Sequence, residues 1–159
     1  MTEPTGLVVL VGPAAAGKSA AASAWPPSRV VCLDELRARL TDDPGDQDAT
    51  ADAVAIQRLI LDGRLRRDRP TLVDSTNVEV TVRADLLMLA QRYNRPATAV
   101  LFATPLETCL ARNAKRTGSS RVPEDILRRQ HGQLPTAAEL TAEGFTAVIT
   151  DHDGQLDEQ

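Results

Sequence analysis

The chain has 159 residues, of which 42% are apolar and 25% charged, a balance that suits one soluble globular domain (1–159) and excludes a disordered chain. Its net charge of −4 excludes nucleic-acid binding over the whole surface, and leaves local basic patches in G-R-L-R-R-D-R and between Arg112 and Arg129. Aromatic residues make up only 3%, so the core is expected to be aliphatic.

In chain order, the start Met1-Thr-Glu-Pro lacks the basic flank of a secretory signal, and the apolar run 7–11 is far too short to cross a bilayer. The cytoplasm is therefore the expected compartment, with no membrane partner. Short β-branched runs alternate with helical patterns along the whole chain. Strands are predicted at 7–11, 30–33, 71–74, 98–103 and 147–150, and helices at about 18–24, 35–40, 50–66, 80–93, 105–115 and 123–134. The alternation predicts an α/β fold, and apolar strands without a polar face predict a parallel sheet of four or five strands flanked by helices. The acidic, Pro-Gly-containing segment 41–48 is predicted to be a mobile loop. Cys32 and Cys109 lie in apolar surroundings without metal-type spacing, and are expected to be reduced thiols.

Between the first strand and the first helix stands G-P-A-A-A-G-K-S, Gly12 to Ser19, which satisfies the G-x-x-x-x-G-K-[ST] phosphate-loop pattern in the context that the pattern requires. Gly12 and Gly17 let the backbone curl, so that N–H groups along Ala14, Ala15, Ala16, Gly17, Lys18 and Ser19 point at one anion, helped by the partial positive charge of the helix start. Lys18 is expected to reach the β and γ phosphates of ATP or another nucleoside triphosphate. The Ser19 hydroxyl is expected to ligate Mg²⁺.

Two further strands end in carboxylates, Asp34 after R-V-V-C-L and Asp74 after T-L-V, and in a parallel sheet both should reach the ligand crevice. Asp34 also reads as a helix N-cap. Arg37, three residues on, places a guanidinium beside it, which suits an acceptor site where a carboxylate takes a hydroxyl proton and the arginine holds an anionic group. In D-S-T-N, Asp74 and Asn77 are assigned to the acceptor side, with Asp74 also expected to orient a Mg²⁺-bound water or the loop. Arg112 and Arg116 share a face at a helix end, and a flexible T-G-S-S, Arg121 and Pro123 follow. This reads as an arginine-bearing helical lid, about 112–134, in which Arg112, Arg116 and Arg121 neutralise donor phosphates. A helix-end and solvent role is the plainer alternative.

Taken together and in this order, G-P-A-A-A-G-K-S, L-D-E-L-R, D-S-T-N, R-N-A-K-R and R-V-P-E-D-I-L-R-R resemble the P-loop polynucleotide 5'-kinases, over 7–134. The resemblance implies a small adenylate-kinase-like α/β core with a helical lid. It also implies transfer of the ATP γ-phosphoryl group to a hydroxyl at a nucleic-acid 5' end. It gives Asp34 the role of general base, Arg37 a contact to an acceptor phosphate and Arg116 a contact to the donor phosphates. The chain departs from that family in being acidic and in lacking an aromatic-basic track for a strand. A small-molecule acceptor, such as a nucleoside, sugar, nucleotide-sugar or antibiotic, is therefore the competing expectation, and a nucleotide-binding protein without chemistry is a third.

Overall fold

A computed structural model describes residues 5–158. Six strands form one sheet: β1 (Leu7–Val11), β2 (Val30–Cys32), β3 (Thr71–Asp74), β4 (Ala97–Phe102), β5 (Ala147–Asp151) and β6 (Leu156–Glu158), in the order β2-β3-β1-β4-β5-β6. The first five are parallel, and β6 runs antiparallel along β5. The helices are α1 (Lys18–Ser23), α2 (Leu33–Thr41), α3 (Thr50–Arg66), α4 (Val80–Arg92), α5 (Leu106–Ala114), α6 (Glu124–Gly132) and α7 (Ala137–Glu143).

Successive residues of β1 face opposite sides, and both sides are covered. Leu7, Val9 and Val11 join Leu36 of α2, Leu61 and Leu65 of α3, Leu86 and Leu87 of α4 and Leu140 of α7 in one core. Val8 and Leu10 join Ala22 of α1, Phe102, Cys109 of α5 and Leu127 of α6 in the other. This explains why the strands carry no polar face. Both cysteines are free thiols, Cys109 buried and Cys32 half-buried.

The structure corrects the expected elements in three places. β2 stops at Cys32 and α2 begins at Leu33, so Asp34 lies inside the first helical turn, and Cys32 occupies the N-cap without a side-chain cap. The helix α7 was not expected, although Thr136 and Glu139 form a full capping box at its start. Nor was β6, which follows a turn held by Gly154 N–H donating to the Asp151 carboxylate. No helix among the described residues is long and apolar enough to cross a membrane.

β1 sits between β3 and β4, and its C-terminal end is where the strand order reverses. That is where a doubly wound sheet opens a crevice for ligand. The Gly12–Ser19 loop leaves β1 at this point.

Candidate active site

Gly12 N–H donates to Thr76 O at 2.9 Å, tying the loop to the segment after β3. Ala15 (φ 62°) and Gly17 (φ 106°) are left-handed, a conformation that alanine adopts only under local strain. Those two turns bring the start of α1 back against the loop. The N–H groups of Gly17, Lys18 and Ser19 there have no acceptor among the described residues, so they are available to an anion. Ala14, Ala15 and Ala16 are buried, Ala14 and Ala16 in the core of the α1–α5–α6 face, so Ala15 and Ala16 offer backbone and not side chain to a ligand, whereas the Ala14 N–H, expected to point at the anion, is taken by Gln130. The buried Thr104 hydroxyl donates to Ala16 O at 2.9 Å and fixes the loop from below.

Lys18 is 8% exposed, and its ammonium donates to Gly12 O at 2.9 Å and Pro13 O at 2.6 Å. Burial pushes its pKa down from 10.5 to about 8; Asp74 opposes that shift and the positive charge of Arg116 adds to it. Asp74, half-buried, is pushed above the usual carboxylate range by desolvation, with Lys18 pulling the other way and Asp34 and Glu35 adding like charge. Lys18 thus lies in the field of Asp74, Asp34 and Arg116.

Asp34 is well exposed, 68% for its side chain, and forms an ion pair with the nearly buried Arg37. The remaining Arg37 geometry is turned inward, because its Nε donates to Pro44 O at 2.8 Å and so pins the 41–48 loop to α2. Asn77 departs from its expected acceptor-side place. It is 3% exposed, and its amide donates to Leu10 O at 2.7 Å, so it braces β1 from inside the fold.

In the segment expected to be a lid, Arg116 is half-buried and its guanidinium lies 3.5 Å from Ser120 O. Arg112 instead pairs with Asp153 at 2.7 Å in the turn before β6. Arg121 is exposed and lines a separate cavity of about 320 Å³ with Leu110, Asn113 and Val122. A larger cavity of about 760 Å³, between the start of α4 and α7, contains none of the expected site residues.

Five residues around the crevice were missed from sequence. Gln130 of α6 accepts the Ala14 N–H on its Oε1 at 3.0 Å. Thr104 is described above, and His131 Nε2 lies 3.1 Å from Thr104 O. The buried Asn113 bonds both the N–H and the carbonyl of Val122, at 3.0 and 2.7 Å, and so closes the neck of the 114–121 loop. Ser119 reaches the opposite bank of the crevice: a Cβ placed on Gly45 would stand 2.5 Å from Ser119 Cβ. Asp43 lies nearby, its carboxyl held below its usual pKa by the Gly45 N–H and by Ser119. Only a glycine allows that approach. Long-range contacts of this kind carry no local sequence signal.

A phosphate loop at the reversal point of a 2-3-1-4-5 parallel sheet defines a P-loop kinase fold. Residues 7–140 match the AAA domain family profile AAA_33, and the chain belongs to that family. No curated protein matches the sequence. Among solved structures, it is similar to AvrRxo1-ORF1:-ORF2 with ATP (TM-score 0.64, 16% identity), covering 96% of this chain but only 57% of that one. Kti12 of Chaetomium thermophilum in complex with ADP-AlF3 is similar at TM-score 0.59 and 15% identity, covering 92% and 89% of the two chains. A gluconokinase from Sinorhizobium meliloti 1021 is similar at TM-score 0.57 and 20% identity, covering 94% and 83%.

Proposed function

We propose that the chain is an ATP-dependent phosphotransferase that moves the γ-phosphoryl group to the hydroxyl of a small-molecule acceptor. The observation that supports this most is the Gly12–Ser19 loop at the C-terminal end of β1, beside Asp74 at the end of the neighbouring β3. The unbonded N–H groups at the start of α1 and the buried Lys18 ammonium fit a nucleoside triphosphate. The exposed Ser19 hydroxyl and Asp74 fit a Mg²⁺ held jointly with phosphate oxygens, for among the described residues no three His, Cys, Asp or Glu side chains converge on a metal site. Bound Mg²⁺ would supply charge neutralisation between the β and γ phosphates.

In this reading the acceptor oxygen forms a bond to Pγ while the bond from Pγ to the β–γ bridging oxygen breaks. ADP leaves, and the hydroxyl proton passes to Asp34. Asp34 has the exposure to meet an incoming hydroxyl, and its ion pair with Arg37 aims it. Arg116 brings a planar cation from the other bank toward the transferred group. The proposed lid spans about 112–134 and carries it.

The acceptor is assigned to the small-molecule class because Arg37, which would grip the 3'-flanking phosphate of a polynucleotide 5' end, is buried and bonded to Asp34 and Pro44. The similarity to a gluconokinase is consistent with this choice. A screen with labelled γ-phosphate tests it across nucleosides, sugars, nucleotide-sugars, nucleoside 3'-monophosphates and 5'-hydroxyl oligonucleotides. A preferred small acceptor is expected. Preferential labelling of oligonucleotides and 3'-nucleotides, erased by Arg37→Ala, would replace it with the 5'-kinase reading.

A further inference from the structure

The hydrogen bonds of the phosphate loop single out one side chain from far along the chain. Gly12 N–H is satisfied by Thr76 O, and the first N–H groups of α1 await an anion, but Ala14 N–H is already held by the Oε1 of Gln130 at 3.0 Å. Ala14 is the third residue of the loop and immediately precedes its left-handed turn at Ala15. A carboxamide has two ends about 2.2 Å apart. With the oxygen fixed on Ala14, the NH₂ end is held at the loop's rim, and no hydrogen bond from it to the protein is present among the described residues.

The support beneath Gln130 is firm. Leu127, one turn earlier on α6, is fully buried against the α1–α5 core, and the next residue, His131, contacts Thr104 O, whose own hydroxyl holds Ala16 O. Adjacent positions of α6 are thus tied to two points of the same loop. A structural brace alone would need only one of them.

We propose that Gln130 is a positioning residue for the terminal phosphate of the donor, steadying Ala14 through Oε1 while its NH₂ group donates to a γ-phosphate oxygen. It would thereby distinguish a nucleoside triphosphate from a diphosphate. This rests on the nucleotide-binding part of the proposed function and adds to it the group that reads the third phosphate.

The test is calorimetric titration of the full chain with Mg²⁺ and either ADP or a non-hydrolysable β,γ-imido ATP analogue. Gln130→Glu keeps an oxygen for Ala14 N–H but replaces the donor with a negative charge. It should weaken the analogue about ten- to a hundredfold, the range for a lost hydrogen bond to a charged group, and leave ADP within about threefold. If that variant fails to fold, Gln130→Met must show the same selective loss in smaller measure. Equal changes for both nucleotides, or no change in a folded variant, would overturn the assignment while leaving nucleotide binding intact. A wild-type chain that binds neither nucleotide would overturn both.

Discussion

Lys18 keeps an ammonium where burial favours the neutral amine. Its pKa of about 8 lies below the unfolded value of 10.5, so between those two pH values the unfolded chain binds more protons than the folded one. Stability of the ligand-free protein should therefore rise as pH climbs through that window, by up to roughly 3 kcal/mol from this residue. Triphosphate would restore the charge and raise the pKa again. We expect ATP binding at pH 8 to take up about half a proton, seen as a dependence of the binding heat on the buffer's ionisation enthalpy, and to take up almost none at pH 6. Arg116→Ala should shrink that uptake, because it removes a positive charge that depresses Lys18. Lys18→Ala should abolish phosphoryl transfer while the fold persists. Asp34→Asn should bind ATP normally yet lose about 10²- to 10⁴-fold in turnover, as removal of a general base does. Since Asp34 is not the N-cap of α2, a melting curve close to wild type should accompany that loss.

At the scale of elements, the connections that shape the crevice are side chains anchoring loops. Asn113→Ala removes two bonds to Val122, and should cost about 1–3 kcal/mol in denaturant unfolding. It should also speed tryptic cleavage after Arg116 and Arg121, whose loop it closes. Arg83 of α4 makes a buried, two-pronged ion pair with Glu143 of α7, at 2.7 and 2.6 Å. Truncating Arg83 to Ala should destabilise the chain by about 3–5 kcal/mol, since it strands the partner charge. Much of this architecture was legible beforehand. The strands at 7–11 and 71–74 and the helix at 50–66 have the expected bounds, because long apolar runs and strong periodicity report burial directly. The helix α7 was not foreseen: the T-x-x-E of its capping box marks its start, but its single buried leucine gives no periodic stripe. β6 is three residues long and owes its existence to pairing with β5, which no local pattern announces. Among site residues, the phosphate loop is contiguous and was readable as such. Asn77 was not, because only the fold decides whether an amide beside a crevice turns inward to Leu10.

For the whole molecule, nucleotide binding and global stability are one equilibrium. Mg²⁺ with ATP at a hundredfold excess over Kd should add about 2.7 kcal/mol, which for a chain of this size raises the melting temperature by roughly 5–10 °C. Ser19→Ala should lose most of the part of that shift that depends on Mg²⁺, with melting curves in Mg²⁺ and in EDTA as the check.

The meeting of Gly45 with Ser119 has a topological consequence. Asp34, Arg37 and Pro44 lead from α2 to one bank; Ser119, Ser120 and Arg116 lead from the other bank back toward Lys18, and the two banks touch. On the proposed function, the acceptor would then pass through a ring with a clasp and not along an open trough. A molecule with a free end or small enough to slip beneath can pass through a shut ring, whereas one that is closed on itself, or modified in mid-chain, must wait for the clasp to part. Widening the clasp with Ser119→Gly should leave the smallest acceptors unaffected and speed bulky ones, and a bulky residue at Gly45, which has no room for even a methyl group, should hold the ring ajar.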